Sequence, residues 1–167
     1  MGLLIKSTDF VGRYAVAQNS YTKLDLYIDK YEPKYLSELL GSVFYLSLKG
    51  YIETPPPTPD PLLDKILAPF REELGRKLLI SDGLKEMLLG FVWFEYMREF
   101  KFKKTMAGIT TNQSENSRET SFPENQIYAV YNESIDTYRA IQHYIGGNTI
   151  DYTIYNGQEK DYSYWCL

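Results

Sequence analysis

A helix over Leu84–Phe100 sets the terms for the rest of this chain. Leu84, Met87, Leu88, Phe91, Phe94 and Met97 recur at helical spacing on one face, and Leu89, Val92, Trp93, Tyr96 and Phe100 cover much of the remainder. A helix apolar on nearly every side is stable in water only when other elements enclose it, so the pattern predicts a central, buried helix. Arg98, Lys101, Lys103 and Lys104 at its end complement the negative pole of the helix dipole. With 167 residues, the chain has material for one such enclosed core.

The enclosing elements read mostly as further helices. Residues 1–20 form an N-terminal arm with a helical turn. Leu24, Tyr27, Ile28 and Tyr31 give an amphipathic helix over 21–31. Pro33 suits the first turn of a second helix over 34–40, which Gly41 ends as a C-terminal cap, and a third stretch runs over Val43–Leu48. Residues 54–61, TPPPTPDP, are a stiff polyproline-like connector. Asp60-Pro61 is a cap and first helical position for a stripe of Leu62, Leu63, Ile66, Leu67 and Phe70, which Pro69 kinks or ends. Leu74 and Leu78–Ile80 carry the chain to the capping pair Ser81-Asp82.

Beyond the central helix the character changes. Residues 105–121, rich in Thr, Ser and Asn, read as a projecting loop or hairpin arm. Pro123 opens a helix carrying Ile127, Tyr131, Ile135, Tyr138, Ile141 and Ile145, stopped by Gly146-Gly147. In the tail, 148–167, Ile150, Tyr152 and Ile154 alternate before Asn156-Gly157, with Tyr162 and Tyr164 after it, a short β-hairpin signal. The expected fold is therefore mainly α. It is a single domain over 1–167, a small helical bundle around the helix at about 84–100, with an arm at about 105–121 and a short C-terminal β-hairpin. Leu40, Phe44, Leu84, Leu88, Phe91 and Phe94 are its expected core.

Composition narrows the chemistry. One Cys, Cys166, excludes a disulfide framework and a Cys-based zinc site, and one His, His143, excludes a site built on several imidazoles. The net charge of −4 argues against a chain whose main task is gripping phosphates. That charge is uneven: residues 1–70 sum to −1, 71–104 to +2 and 105–167 to −5. No apolar run reaches membrane-spanning length, and the first residues lack a signal-peptide layout, so a soluble cytoplasmic chain is expected.

No Gly-rich phosphate cradle or nucleophile motif is present in the sequence. Asp25 and Asp29, and Glu95 and Glu99, are carboxylate pairs at helical spacing, which suit an acid–base or hard-metal site but equally a solvated helix face. His143 near a helix end suits a packed side chain or a partner of the dipole better than a base. Neither catalytic residues nor a metal or cofactor site is assigned. Lys101-Phe102-Lys103-Lys104 mixes basic and aromatic character, which fits a nucleic-acid contact or a helix end with snorkelling lysines. The PxxP at 56–59 reads as a spacer.

Tyrosine remains, with 16 copies. Seven lie within 1–51 and eight within 128–167, and only Tyr96 lies between. Tyr couples a large apolar body to a polar tip. Two readings stay open: packing at the rim of a monomer core, or terminal regions that face neighbouring subunits.

The order of motifs carries a resemblance. Tyr27, Ile28, Glu32, Tyr35, Leu36, Leu39, Leu40, Gly41, Phe44 and Tyr45 resemble an N-terminal pattern of tailed-bacteriophage head-to-tail connector proteins. Gly83, Leu84, Phe91, Phe94, Tyr96, Thr105, Gly108, Glu115 and Ser117 resemble the buried aromatic helix of that family and the polar segment after it. The helix at Tyr131–Ile145 and the late Trp165-Cys166 complete the order, with a likeness to ring proteins of crAss-like phages. The Pro-rich connector departs from the pattern.

The resemblance implies a structural virion protein and not an enzyme. It implies a homo-oligomeric ring of about a dozen copies, joined by heterologous contacts. The ring would dock on the portal protein at the head–tail junction, join it to neck or tail components, and leave a channel through which DNA passes without sequence reading. Assembly would take place in the host bacterial cytoplasm. An acidic lumen would let DNA slide, though the −5 region could equally face outward. The expected subunit and portal contacts are Thr105, Ile109, Thr110 and Thr111 on the arm, with strand-forming propensity suited to β-augmentation, and Tyr162, Tyr164 and Trp165 in the tail. The alternative is a small DNA-associated regulator using the basic cluster 101–104.

Overall fold

The computed structural model describes residues 2–16, 21–105, 108–111, 124–148 and 155–162. The chain is mainly helical: α1 (Tyr21–Glu53), α2 (Pro61–Leu67), α3 (Gly83–Lys101) and α4 (Glu124–Asn148), with two hairpins, β1 (Phe70–Leu74) with β2 (Lys77–Ser81) and β3 (Phe102–Thr105) with β4 (Gly108–Thr111). Two 3-10 turns, Ser7–Asp9 and Gly12–Tyr14, punctuate the N-terminal arm. No helix among the described residues is long and apolar enough to cross a membrane.

α3 is the centre. Leu84, Leu88, Phe91, Val92, Trp93 and Phe94 are all buried. α4 packs along one side of it and α1 along another, both antiparallel: Gly90 meets Val130 and Ser134, while Phe94 meets Tyr128 and Tyr131. Phe91 is sandwiched, stacked on Tyr35 of α1 at 4.3 Å and edge-on to Tyr131 and Tyr138 of α4. Burial of side chains this large contributes roughly 1.5–3 kcal/mol each. Leu40 is fully buried, whereas Phe44 is half-buried, edge-on to Tyr155.

The helices expected over 21–31 and 34–40 are one, and α1 is kinked at Gly41, where that helix was expected to end. Pro33 does not begin a new helix but lies inside α1. Gly41 does break the geometry, with φ 72° and ψ 172°, a region essentially open only to glycine. Asp60 caps α2 by accepting from the amides of Leu62 and Leu63, with Pro61 in the first turn.

Residues 70–81, to which the sequence pattern assigns no element past Phe70, form an antiparallel hairpin. Ala68 precedes Pro69 and is steered out of the α region, with φ −93° and ψ 158°. Gly75 then takes φ 64° at the first position of the two-residue turn that joins Leu74 to Lys77, a Gly-first hairpin turn. α4 likewise runs through Gly146-Gly147 to Asn148, where a stop was expected. A Cβ on Gly147 would come within 2.4 Å of Leu74, so this glycine lets the β1–β2 hairpin press against the helix end.

The N-terminal arm is held by one buried carboxylate. Glu32 is 1% exposed, and its oxygens accept from the backbone amides of Leu3, Leu4 and Ile5 at 2.8, 2.6 and 3.3 Å. Burial pushes its carboxyl above the ordinary range, and the three amides pull the other way. Ile5, Phe10 and Tyr14 bury themselves behind this clasp.

The α3–α4 approach is testable with two glycines. A Cβ on Gly90 would lie 2.0 Å from Ser134 Oγ, whereas one on Gly146 meets nothing within 4 Å. Gly90→Ala is expected to lower stability by about 1–3 kcal/mol despite the better helix former, through overpacking. Gly146→Ala is expected to raise it by about 0.5–1 kcal/mol. Urea titrations of both variants give the comparison, and equal effects at the two sites would refute the close-packing account.

Candidate functional site

The carboxylate pairs divide by face. Asp25 and Asp29 lie on the exposed side of α1. Glu95 and Glu99 turn towards α1 and meet a ladder of tyrosines one turn apart. Tyr35 donates to Glu95 at 2.8 Å, while Tyr27 and Tyr31 donate to Glu99 at 2.7 and 3.2 Å. Arg98 donates to the other oxygen of Glu95 at 2.5 Å. No group of acidic, His or Cys side chains among the described residues is arranged to hold a metal ion. The two helical repeats match, so Tyr27, Tyr31 and Tyr35 on α1 and Glu95 and Glu99 on α3 form a polar seam beside the aromatic core.

The same pairing recurs elsewhere. Tyr14 donates to Glu86, Tyr51 to Asp64 and Tyr162 to Asp136, at 2.5–2.7 Å. Rim packing within the chain is thus how these tyrosine hydroxyls are used. Sequence spacing alone could have paired 27, 31 and 35 with 95 and 99, since both sets keep a four-residue step.

The expected contact residues fall in two places. Thr105, Ile109, Thr110 and Thr111 lie on the β3–β4 hairpin, where Thr105 pairs with Gly108, Lys104 with Ile109, Lys103 with Thr110 and Phe102 with Thr111. The hairpin thus begins three residues before the expected arm and takes in most of the basic cluster; only Lys101 still belongs to α3. The rest of the arm, 112–121, lies outside the described residues. Tyr162 is half-buried against α4, bonded to Asp136 and with Arg139 4.3 Å from its ring centre. Tyr164, Trp165 and Cys166 lie outside the described residues.

The expected C-terminal β-hairpin falls largely on 149–154 and 163–167, outside the described residues, and its centre, 155–162, has no strand pairing. Those eight residues form an extended strap between α1 and α4. Asn156-Gly157, a hairpin-turn signal in sequence, has another purpose: a Cβ on Gly157 would lie 2.1 Å from the Leu39 carbonyl oxygen, so only glycine fits there.

Two surfaces stand out. At the start of α3, Leu78 and Ile80 on β2 are 61% and 49% exposed. Beside them a groove of about 490 Å³ is lined by Lys77, Asp136, Arg139, His143 and the strap. His143 is exposed there, its Nε2 3.2 Å from Lys77 Nζ. At the other end of α3, β3 follows the helix directly, and the hairpin makes its main contacts with itself and with that helix end. Each end of the central helix therefore carries a two-stranded sheet.

The polar seam has a pH signature. The bond from Tyr27, with a smaller share from Tyr31, holds the Glu99 carboxyl below its ordinary value of 4.5. A carboxyl whose pKa is lowered by folding stabilises the fold above the unfolded value and loses that contribution as pH falls through the folded one. Glu99→Gln is expected to be less stable than wild type at pH 7 and to lose less on acidification below about pH 4.5. Thermal unfolding across pH 3–7 reads this, and parallel acid limbs in the two proteins would exclude the seam as a source of acid sensitivity. The chain matches no family model, no curated protein and no solved structure.

Proposed function

We propose that this chain is a structural virion protein: the subunit of a head-to-tail connector ring that docks on the portal of a tailed bacteriophage. In this reading it joins the portal to neck or tail components around a channel for DNA. The observation that carries the reading is the β3–β4 hairpin. It grows from the last turn of the buried central helix, pairs chiefly with itself, and leads into further chain of low apolar content. A short hairpin on its own is marginal in water and gains most from a partner surface.

Head-to-tail contacts suit a chain whose two ends differ. α3 is 19 residues long, so the two hairpins sit roughly 28 Å apart along its axis. A contact between unlike surfaces at opposite ends of one subunit is heterologous, and a fixed rotation between copies closes it into a ring.

Electron microscopy of the purified protein with and without a tailed-phage portal tests the class. Rings of defined symmetry are expected, and a monomer indifferent to the portal would overturn the reading. Deleting residues 106–120 should leave a folded, helical monomer that no longer assembles. Normal rings from that variant would remove the arm from the mechanism. A DNA-binding titration separates the regulator reading, in which affinity falls steeply with salt.

A further inference from the structure

The break in α1 and the strap at 155–162 meet at one point. In an uninterrupted helix the carbonyls of Glu38 and Leu39 would accept from the amides four residues on, those of Ser42 and Val43. Here the strap supplies donors to both. The Gln158 amide donates to the Glu38 carbonyl at 2.6 Å, and the Tyr155 hydroxyl donates to the Leu39 carbonyl at 2.9 Å. Strap docking and helix closure therefore compete for the same two acceptors.

Sterics tie them further. Asn156 sits on Gly41 so closely that a Cβ at position 41 would lie 1.8 Å from its Oδ1. At the strap's other contacts, Tyr138 and Gln142 of α4 donate to the Gln158 carbonyl, and Arg139 donates to that of Lys160. The Lys160 ammonium is 2.5 Å from Glu38. Most of these contacts are polar, and the apolar hold comes from Tyr155, edge-on to Phe44, and Tyr162, both packed at the rim of the core. Asn156, Gln158, Glu159 and Asp161 are exposed and the other four residues half-buried, a profile that lets a segment open without global unfolding.

We propose that residues 155–162 and Gly41 form one conformational switch. With the strap docked, α1 is broken at Gly41. With the strap displaced, the helix closes through Gly41 and residues 42–53 swing to a new direction. Leu48, buried in the broken form, together with Phe44, Tyr45, Tyr51 and Ile52, which pack against the core, holds the resting balance on the docked side, while Val43 and Leu46 are already exposed and lose little on moving. The switch is independent of whether the chain forms rings.

Hydrogen exchange on the full-length protein tests it with two substitutions approached from opposite sides. Gly41→Ala makes the broken backbone and the docked strap both unfavourable. Amides of 155–162 are expected to exchange at least about ten-fold faster, and those of 42–45 more slowly, with a gain in far-ultraviolet helical signal. Gly157→Ala leaves α1 untouched and pushes the strap off Leu39, so it is expected to give the same opposed changes. If Gly41→Ala fails to fold, Gly157→Ala decides alone. A faster strap without slower exchange at 42–45, or no change in either region, overturns the proposal.

Discussion

Enclosure of α3 is the condition every other element answers to. Leu88, Phe91 and Val92 leave the helix with no polar face to give to water, so α1 and α4 must lie along it and the N-terminal arm must close what remains. The choice of neighbours follows from shape. Gly90 removes the side chain that would keep α4 away, and Ser134 of α4 takes the space, its hydroxyl turned back to the Val130 carbonyl. On the α1 side the flat faces of Tyr35 and Phe91 stack with their planes only 12° apart. The centre is thus a set of ring contacts between three helices, each fixing the rotation of the next.

Polar groups enter at the edge of that core in matched pairs. A buried carboxylate without partners is costly, and a buried phenol wants an acceptor. Tyr35 and Glu95 satisfy each other, and their pairing lets α1 and α3 stay close where the core ends. Glu32 solves a related problem, because three consecutive amides of the arm have no strand or helix partner and its two oxygens take them. Glu32 reads in sequence as one more acid on a helix. Its purpose becomes visible only when the chain has folded back some 28 residues onto it.

Much of the helical plan was legible because local chemistry and tertiary packing agree on it. The apolar period of 84–100 and the Asp60-Pro61 cap rest on interactions within a few residues, and the break at Gly41 uses a backbone region open to glycine that the strap's contacts then occupy. The misreadings share a cause. Pro33 as a helix start, Gly146-Gly147 as a stop and Asn156-Gly157 as a turn are good local rules, overridden by long-range contacts. Gly147 exists for Leu74, and Gly157 for the Leu39 carbonyl. The β1–β2 hairpin was missed because FREEL and KLLIS do not alternate cleanly, so Gly75 was the main signal and it passed unread. The proposed contact residues on β3–β4 follow from composition and resemblance, and a hairpin there needed only the shift from helix formers to Thr and Gly.

The β3–β4 hairpin and the strap are held in different ways, and this bears on what each can do. β3 starts at the residue after α3 ends, with no linker, so the direction of its hairpin is inherited from the most tightly packed helix in the molecule. A contact made by that hairpin would be aimed by the core itself, which favours a repeated, fixed angle between copies. The strap is the opposite case. It is joined to α1 and α4 through hydrogen bonds, two ion pairs (Lys160–Glu38 and Arg139–Asp161) and the rim packing of Tyr155 and Tyr162, so its geometry is specified while its hold is modest. Rigid aim at one end and a releasable strap over the middle come from the same source: apolar residues were concentrated on α3, and tyrosines and charges were left to tie the rest to it.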